Sequence, residues 1–191
     1  MSSERGAAMH ADTTGAGTRA PQRATARFMF AHPAHFIALG FGSGLSPRAP
    51  GTVGTLWAWV SFLLLERWLG DTSWAALLIC GLLLGVWACT ECARHLGVAD
   101  PSAIVWDEIV AFWVVLWLIS PTGWLGQLLA FALFRYFDAA KPGPVGWADR
   151  RFKLAPGARI GWRQGVGILL DDLVAAACTL LAMALSLPLW R

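Results

Sequence analysis

Two adjacent carboxylates, Asp107 and Glu108, stand where the stretch "SAIVWDEIVAFWVVLWLIS" turns from polar to apolar. A second pair, Asp171 and Asp172, directly precedes the uncharged run Leu173 to Trp190, and Asp138 closes the run ending "FRYFDAAK". Moving one charge into hydrocarbon costs about 2.5–3.5 kcal/mol on insertion scales, so these five acids need a reason. A helix dipole gives first-turn acids about 0.3–1 kcal/mol, enough to account for either pair taken alone. It does not account for Asp138, at a helix C-terminal end where the dipole disfavours an acid. Carboxylates gathered together raise one another's pKa unless a cation joins them, and oxygen-only donors suit Mg²⁺, Mn²⁺ or Ca²⁺. Asp107, Glu108, Asp138, Asp171 and Asp172 are therefore the expected metal ligands.

Arg135, Asp138 and Lys141 follow an i, i+3, i+6 spacing that lines one side of a helix end. The two cations supply the positive charge a phosphate needs. A further candidate is "GFGSGLSPRAPGT", Gly40 to Thr52, which carries Ser43, Ser46 and Arg48 and leads into a helix start at Thr52. Glycine lets the backbone approach an anion, and a helix N-terminus attracts one. No Lys follows in the manner of a GxxxxGK[ST] loop, and no βαβ pattern surrounds it. Taken alone it is a loop with Thr52 as N-cap; on the same side as the acids it becomes a phosphate-binding candidate. The expected phosphate ligands are Ser43, Ser46, Arg48, Thr52, Arg135 and Lys141. His10, His32, His35 and His95 are not spaced as ligands, and no nucleophile elbow is present. Cys80, Cys89, Cys92 and Cys178 lie mostly in apolar segments and are read as reduced and buried.

The elements that must position these residues are apolar helices. Of 191 residues, 57% are hydrophobic and 14% charged, where soluble domains run near about 45–50% and 25%. The 12 Trp suit a membrane-interface belt. A net charge of +3 with no basic stripe gives no reason to expect a nucleic-acid partner. Residues 1–30, rich in Ala, Thr, Gly and Arg, lack a signal-peptide h-region and read as a disordered tail. Apolar runs then begin at Thr52, Thr72, Ile109 and Leu173, the third divided by "SPTG" at 120–123 into a hairpin of two helices, with polar loops expected at "ECARHLGVADP" and from about Ala139 to Gly167. With five alternating segments, only Arg67 and Arg191 of the 15 Lys/Arg fall away from the acids, so the acidic end is cytoplasmic by the positive-inside rule. The expected fold is all-α: a compact, membrane-associated bundle of about five apolar helices, with a loop site on the cytoplasmic side. Residues 31–191 form one domain. A transporter or channel with an acidic mouth is the alternative class, although transporters hold such acids near the midplane.

In order, "GFGSGLSPRAPGT", "DPSAIVWDEIVAFW", "FRYFDAAKPGPVGWADRR" and "GVGILLDDLVAA" closely resemble the bacterial phosphatidylglycerophosphatase A family, from about His35 to Ala176. The resemblance implies an Mg²⁺-dependent phosphatase of the bacterial inner membrane, with its active site facing the cytoplasm. Its substrate would be phosphatidylglycerophosphate, dephosphorylated to phosphatidylglycerol on the way to cardiolipin; another phosphomonoester is the variant reading. The family's acidic motifs fall on Asp107, Glu108, Asp138 with Lys141, Asp149, Asp171 and Asp172. Within this frame Asp107, Asp138 and Asp172 are the catalytic candidates, with either metal-activated water or an aspartyl nucleophile, Asp138, attacking the phosphate. Here the segment between Asp149 and Asp171 is longer than the family pattern and lacks its usual His.

Overall fold

The computed structural model describes residues 23–152 and 159–186. Among them every regular element is helical: α1 (Ala26–Phe30), α2 (Pro33–Ala38), a 3-10 turn (Gly40–Leu45), α3 (Pro50–Leu65), α4 (Asp71–Leu96), α5 (Trp106–Ile119), α6 (Trp124–Ala140), α7 (Pro144–Phe152) and α8 (Trp162–Ser186). The expected all-α bundle is what forms. The expected tail falls mostly on residues outside those described, as does His10, but its last part, Ala26–Phe30, is helical.

Helix α5 is the central post. Its sequence offers no polar face after Glu108, and a helix apolar all round belongs in a core. It buries Trp106, Ile109, Val110, Ala111, Phe112, Trp113, Val115 and Leu116 and touches α2, α3, α4, α6 and α8. Trp106 and Trp113 donate their indole N–H groups to Gly81 O of α4 (2.9 Å) and Ala58 O of α3 (3.0 Å), so the post is pinned on both sides. Where α4 meets α8, a side chain at Gly165 would put its Cβ 2.4 Å from Val86 O, closer than carbon approaches oxygen. Glycine there lets the two longest helices cross.

The five apolar runs of the sequence all become helices, but they are unequal. With 26 and 25 residues, α4 and α8 are long and apolar enough to cross a membrane; α3, α5 and α6 have 16, 14 and 17, short of the roughly 20 that a span needs. Outward faces remain apolar, with Leu56, Val60 and Leu64 of α3, Ile79 and Leu83 of α4, and Leu181 and Leu185 of α8 exposed. A continuous face of this kind marks contact with lipid or a partner.

Three boundaries differ from expectation. The polar string "ECARHL" continues α4 and is not a loop; it ends where Gly97 turns left-handed (φ 70°) and donates its N–H to Ala93 O. The long loop expected over 139–167 contains α7 and the first turns of α8. Helix α3 starts at Pro50 behind Ala49 (φ 46°), which makes no side-chain cap, so Thr52 is inside the helix and does not cap it.

The histidines also come together. His35 (3% exposed) donates from Nδ1 to Phe28 O at 2.8 Å, since a carbonyl can only accept, and its Nε2 meets His95 Nδ1 at 2.7 Å. The Phe28 ring stacks on His35 at 3.9 Å, and burial holds the imidazole below its usual pKa. This pair fastens α2 to α4. All four cysteines are free: Cys89 and Cys92, spaced as CxxC, are fully buried, whereas Cys80 is exposed and Cys178 half-buried.

Candidate active site

Four helices bring the chemistry-bearing residues to one cavity of about 320 Å³. Helix α5 delivers Asp107 and Glu108 from its first turn, and α6 delivers Arg135 and Asp138 from its last. Lys141 follows in the left-handed conformation (φ 45°) that ends α6. Helix α8 contributes Asp171 and Asp172, its tenth and eleventh residues counting Trp162 as the first. They lie more than two turns inside the helix, beyond the reach of its dipole, so the capping explanation for this pair lapses. The fourth wall is the start of α3, Ala49, Pro50 and Gly51, with Asp100 and Ser102 from the α4–α5 link.

At the base, Asp107, Glu108 and Asp172 each offer one carboxylate oxygen, all within 4.8 Å of one another. Asp107 Oδ1, Glu108 Oε2 and Asp172 Oδ2 are buried and make no hydrogen bond. Buried polar atoms are nearly always partnered, and a buried charge without a partner is costly. Three carboxylates that converge from two helices, each with a buried orphan oxygen, form a donor set suited to a hard divalent cation. Asp107 and Glu108 lie at the mouth of a helix too short to span. Burial raises both carboxyls above their ordinary range, and the charge of Glu108 adds to the rise at Asp107.

Around this base Asp138 and Asp171 are already paired. Arg135 bonds Asp138 and lies 3.6 Å from Glu108 Oε1. Lys141 Nζ reaches Asp149 Oδ1 at 2.6 Å and Asp171 Oδ2 at 2.5 Å. Burial would lower the Lys141 pKa, but these two carboxylates outweigh it and hold the ammonium above the usual lysine value. Gly51 is what lets α3 come so close: a Cβ there would stand 2.2 Å from Glu108 Oε1 and 3.1 Å from the Arg135 guanidinium. Ala49 and Lys141, two of the three non-glycine residues with positive φ among the described residues, both line the cavity. Such backbone costs about 1–3 kcal/mol each and gathers at functional sites.

The cavity is lined by six carboxylates (Asp100, Asp107, Glu108, Asp138, Asp171, Asp172) and two cations (Arg135, Lys141). With all ionised the formal balance is −4, so a phosphate cannot enter unless positive charge enters too.

The residues expected at the site separate into two groups. Asp107, Glu108, Asp138, Asp171, Asp172, Arg135 and Lys141 all line the one cavity, but only Asp107, Glu108 and Asp172 converge; Asp138 and Asp171 each face a cation. The serine loop behaves differently. Ser43 donates to Gly40 O (2.8 Å) and lines an apolar groove with Phe41, Val53 and Trp57, while Ser46 donates to Arg48 O (2.8 Å) and Arg48 is exposed. Ser43, Ser46, Arg48 and Thr52 are absent from the cavity wall; the two serine hydroxyls are short and already bonded to nearby backbone. Of that loop the cavity receives Ala49 to Gly51 only. Sequence reading missed Asp100 and Ser102 as lining residues, although Asp100 heads the string "DPSAIVWDEIV".

The phosphatidylglycerophosphatase A family profile matches residues 36–187, which include every residue lining the cavity. The chain belongs to this family. A phosphatidylglycerophosphatase A of Escherichia coli K12 is 36% identical over 152 residues, 80% of this chain and 82% of its own length. That of Haemophilus influenzae is 38% identical over 145 residues, 76% of this chain and 83% of its own. A Bacteroides thetaiotaomicron protein named "Putative phosphatidylinositol-3-phosphatase" is 35% identical over 156 residues, 78% and 91% of the two lengths. No solved structure matches the chain. As a phosphatidylglycerophosphatase A family member the chain is an enzyme, a phosphoric monoester hydrolase of phosphatidylglycerol synthesis. The acidic cavity is where the phosphate chemistry of that family can take place.

Proposed function

We propose that this chain hydrolyses the terminal phosphate of phosphatidylglycerophosphate, giving phosphatidylglycerol and inorganic phosphate. Mg²⁺ would be held by Asp107, Glu108 and Asp172, at the cytoplasmic face of a bacterial inner membrane. The observation that carries this reading is the meeting, beside Arg135, of three carboxylates that each keep a buried, unpartnered oxygen. The chemistry such a cation supplies when bound is neutralisation of phosphate charge and acidification of water. Arg135, steadied by Asp138 and Glu108, presents a planar fork of donors to the phosphate oxygens. Asp138, oriented by Arg135, takes a proton from the attacking water. The water oxygen forms the new P–O bond, the ester P–O bond breaks, and the headgroup oxygen leaves with a proton. Lys141 keeps Asp171 and Asp149 in place and charged at the rim.

The test is phosphate release from phosphatidylglycerophosphate by the purified protein in mixed micelles, with Mg²⁺ and with EDTA. Release that EDTA stops is expected; a folded preparation that liberates none overturns the reading. The name of the Bacteroides thetaiotaomicron relative points to another headgroup, so the panel includes phosphatidylinositol 3-phosphate, on which slower turnover is expected.

A further inference from the structure

A second cavity, of about 240 Å³, adjoins the acidic one and shares Asp100 and Asp171 with it. Its other walls include Asp149, Phe152, Gln164 and Ile168. Gln164 is only 6% exposed, and its Oε1 is buried without a hydrogen-bond partner. Gln164, Ile168, Asp171 and Asp172 are spaced i, i+4, i+7 and i+8, so one face of α8 carries the orphaned amide and the acids. The rise of a helix puts Gln164 about 10 Å along the axis from Asp171.

The polar groups offered here are mostly acceptors. Gln164 Oε1 and the carboxylates of Asp100 and Asp149 would repel a phosphate, and the one ammonium nearby among the described residues, Lys141, is already shared between Asp149 and Asp171. A neutral group that donates a hydrogen bond fits: an alcohol hydroxyl. We propose that this cavity receives the hydroxyl-bearing part of the headgroup whose phosphate occupies the acidic cavity, with Gln164 Oε1 accepting a hydrogen bond from that hydroxyl. The proposal rests on the phosphatase reading above and adds to it a residue that selects polyol phosphates. A site built to bond a hydroxyl rejects the analogue that lacks it, because its own buried acceptor is then left unsatisfied.

Phosphate release is compared on phosphatidylglycerophosphate and on an analogue with hydrogen in place of the free headgroup hydroxyl. The wild-type protein is expected to favour the hydroxyl-bearing lipid in kcat/KM by about tenfold or more. The near-isosteric Gln164→Met is expected to lose about tenfold on that lipid and to change little on the deoxy analogue, so that the two rates converge. Equal wild-type rates on the two lipids overturn the hydroxyl site while leaving the phosphatase reading intact, and this comparison needs no variant to fold. Equal losses on both lipids in Gln164→Met overturn it as well, leaving a structural glutamine. No release by the wild-type protein from either lipid removes the phosphatase reading and the proposal together.

Discussion

At the scale of single residues, Asp107 and Asp172 distinguish ligands from caps. A dipole cap stabilises its helix, so removing its charge should cost up to about 1 kcal/mol. A carboxylate crowded against others in a buried site opposes folding when no cation is present. Asp107→Asn and Asp172→Asn are therefore expected to lower phosphate release by about 10²–10³-fold, the loss typical of one electrostatic contact to the reacting group. In EDTA both variants should melt at or above the wild-type temperature. A fall in melting temperature with activity retained would return Asp107 to a capping role and leave Asp172 a structural acid. Lys141→Met removes charge-assisted hydrogen bonds to Asp149 and Asp171, worth about 1.5–3 kcal/mol each when buried. Since Lys141 is 30% exposed, the lower end applies, and thermal melting should show a clear drop. The folded protein holds the Lys141 proton more tightly than the unfolded chain does. The bridge is thus complete below the ordinary lysine value of 10.5 and lost only as pH rises beyond it. Melting between about pH 8 and pH 9.5, at roughly constant ionic strength, should show the Lys141→Met deficit unchanged across the range.

At the scale of elements, the site depends on how closely α3 approaches the α5 acids. Gly51→Ala favours helix by about 1 kcal/mol on propensity alone, yet its Cβ would stand 2.2 Å from Glu108 Oε1. The flexible Glu108 and Arg135 side chains can yield, so the variant should fold with a nearly unchanged melting temperature. Yielding displaces a carboxylate of the proposed metal site, and misplacement near 1 Å can cost about a hundredfold in rate; kcat should fall by that order. Normal kcat in Gly51→Ala would remove α3 from the site. Gly165→Ala is the opposite case, since its Cβ would meet the Val86 carbonyl, which is backbone and cannot swing away. Loss of folded protein, read by size-exclusion recovery, is expected there. The helices themselves were legible in the sequence because apolar runs mark them directly. Their ends were not: "ECARHL" and "WRQGVG" are polar turns on apolar helices, and the left-handed Gly97 decides where α4 stops. The acids were legible because burying them is expensive, whereas Ser43 and Ser46 misled because a backbone bond uses each hydroxyl locally. The His35–His95 pair is 60 residues apart in the chain and has no signature in spacing.

At the scale of the whole molecule, the two ends of the bundle are chemically opposite. At one end Arg135, Lys141 and the acids meet; at the other the α3–α4 and α5–α6 links are joined by Ser120 Oγ donating to Glu66 Oε1 (3.2 Å) and Trp117 Nε1 donating to Asp71 Oδ1 (3.2 Å). Exposed tryptophans mark both levels, Trp68 and Trp124 by the links, Trp147 and Trp162 by the site, as expected of a protein with an interface at each end. Arg48, Arg94, Arg150, Arg151 and Arg163 belong to the site end and Arg67 to the link end, and by the positive-inside rule this asymmetry supports the cytoplasmic facing proposed for the site. The phosphatase reading needs that orientation if its lipid substrate is made on the inner leaflet. Arg48 is exposed, and at Gly123 a new side chain meets nothing within 4 Å, so Arg48→Cys and Gly123→Cys can each report sidedness. Both go into a chain where the exposed Cys80 is replaced by Ser. A membrane-impermeant maleimide applied to inside-out vesicles should label the Arg48→Cys protein, and applied to right-side-out vesicles should label the Gly123→Cys protein. Labelling of both variants in the same vesicle orientation would mean that the two ends share one side. In that case α4 and α8, long enough to cross, would be lying in one leaflet, and the substrate would reach the acids without a membrane-spanning frame.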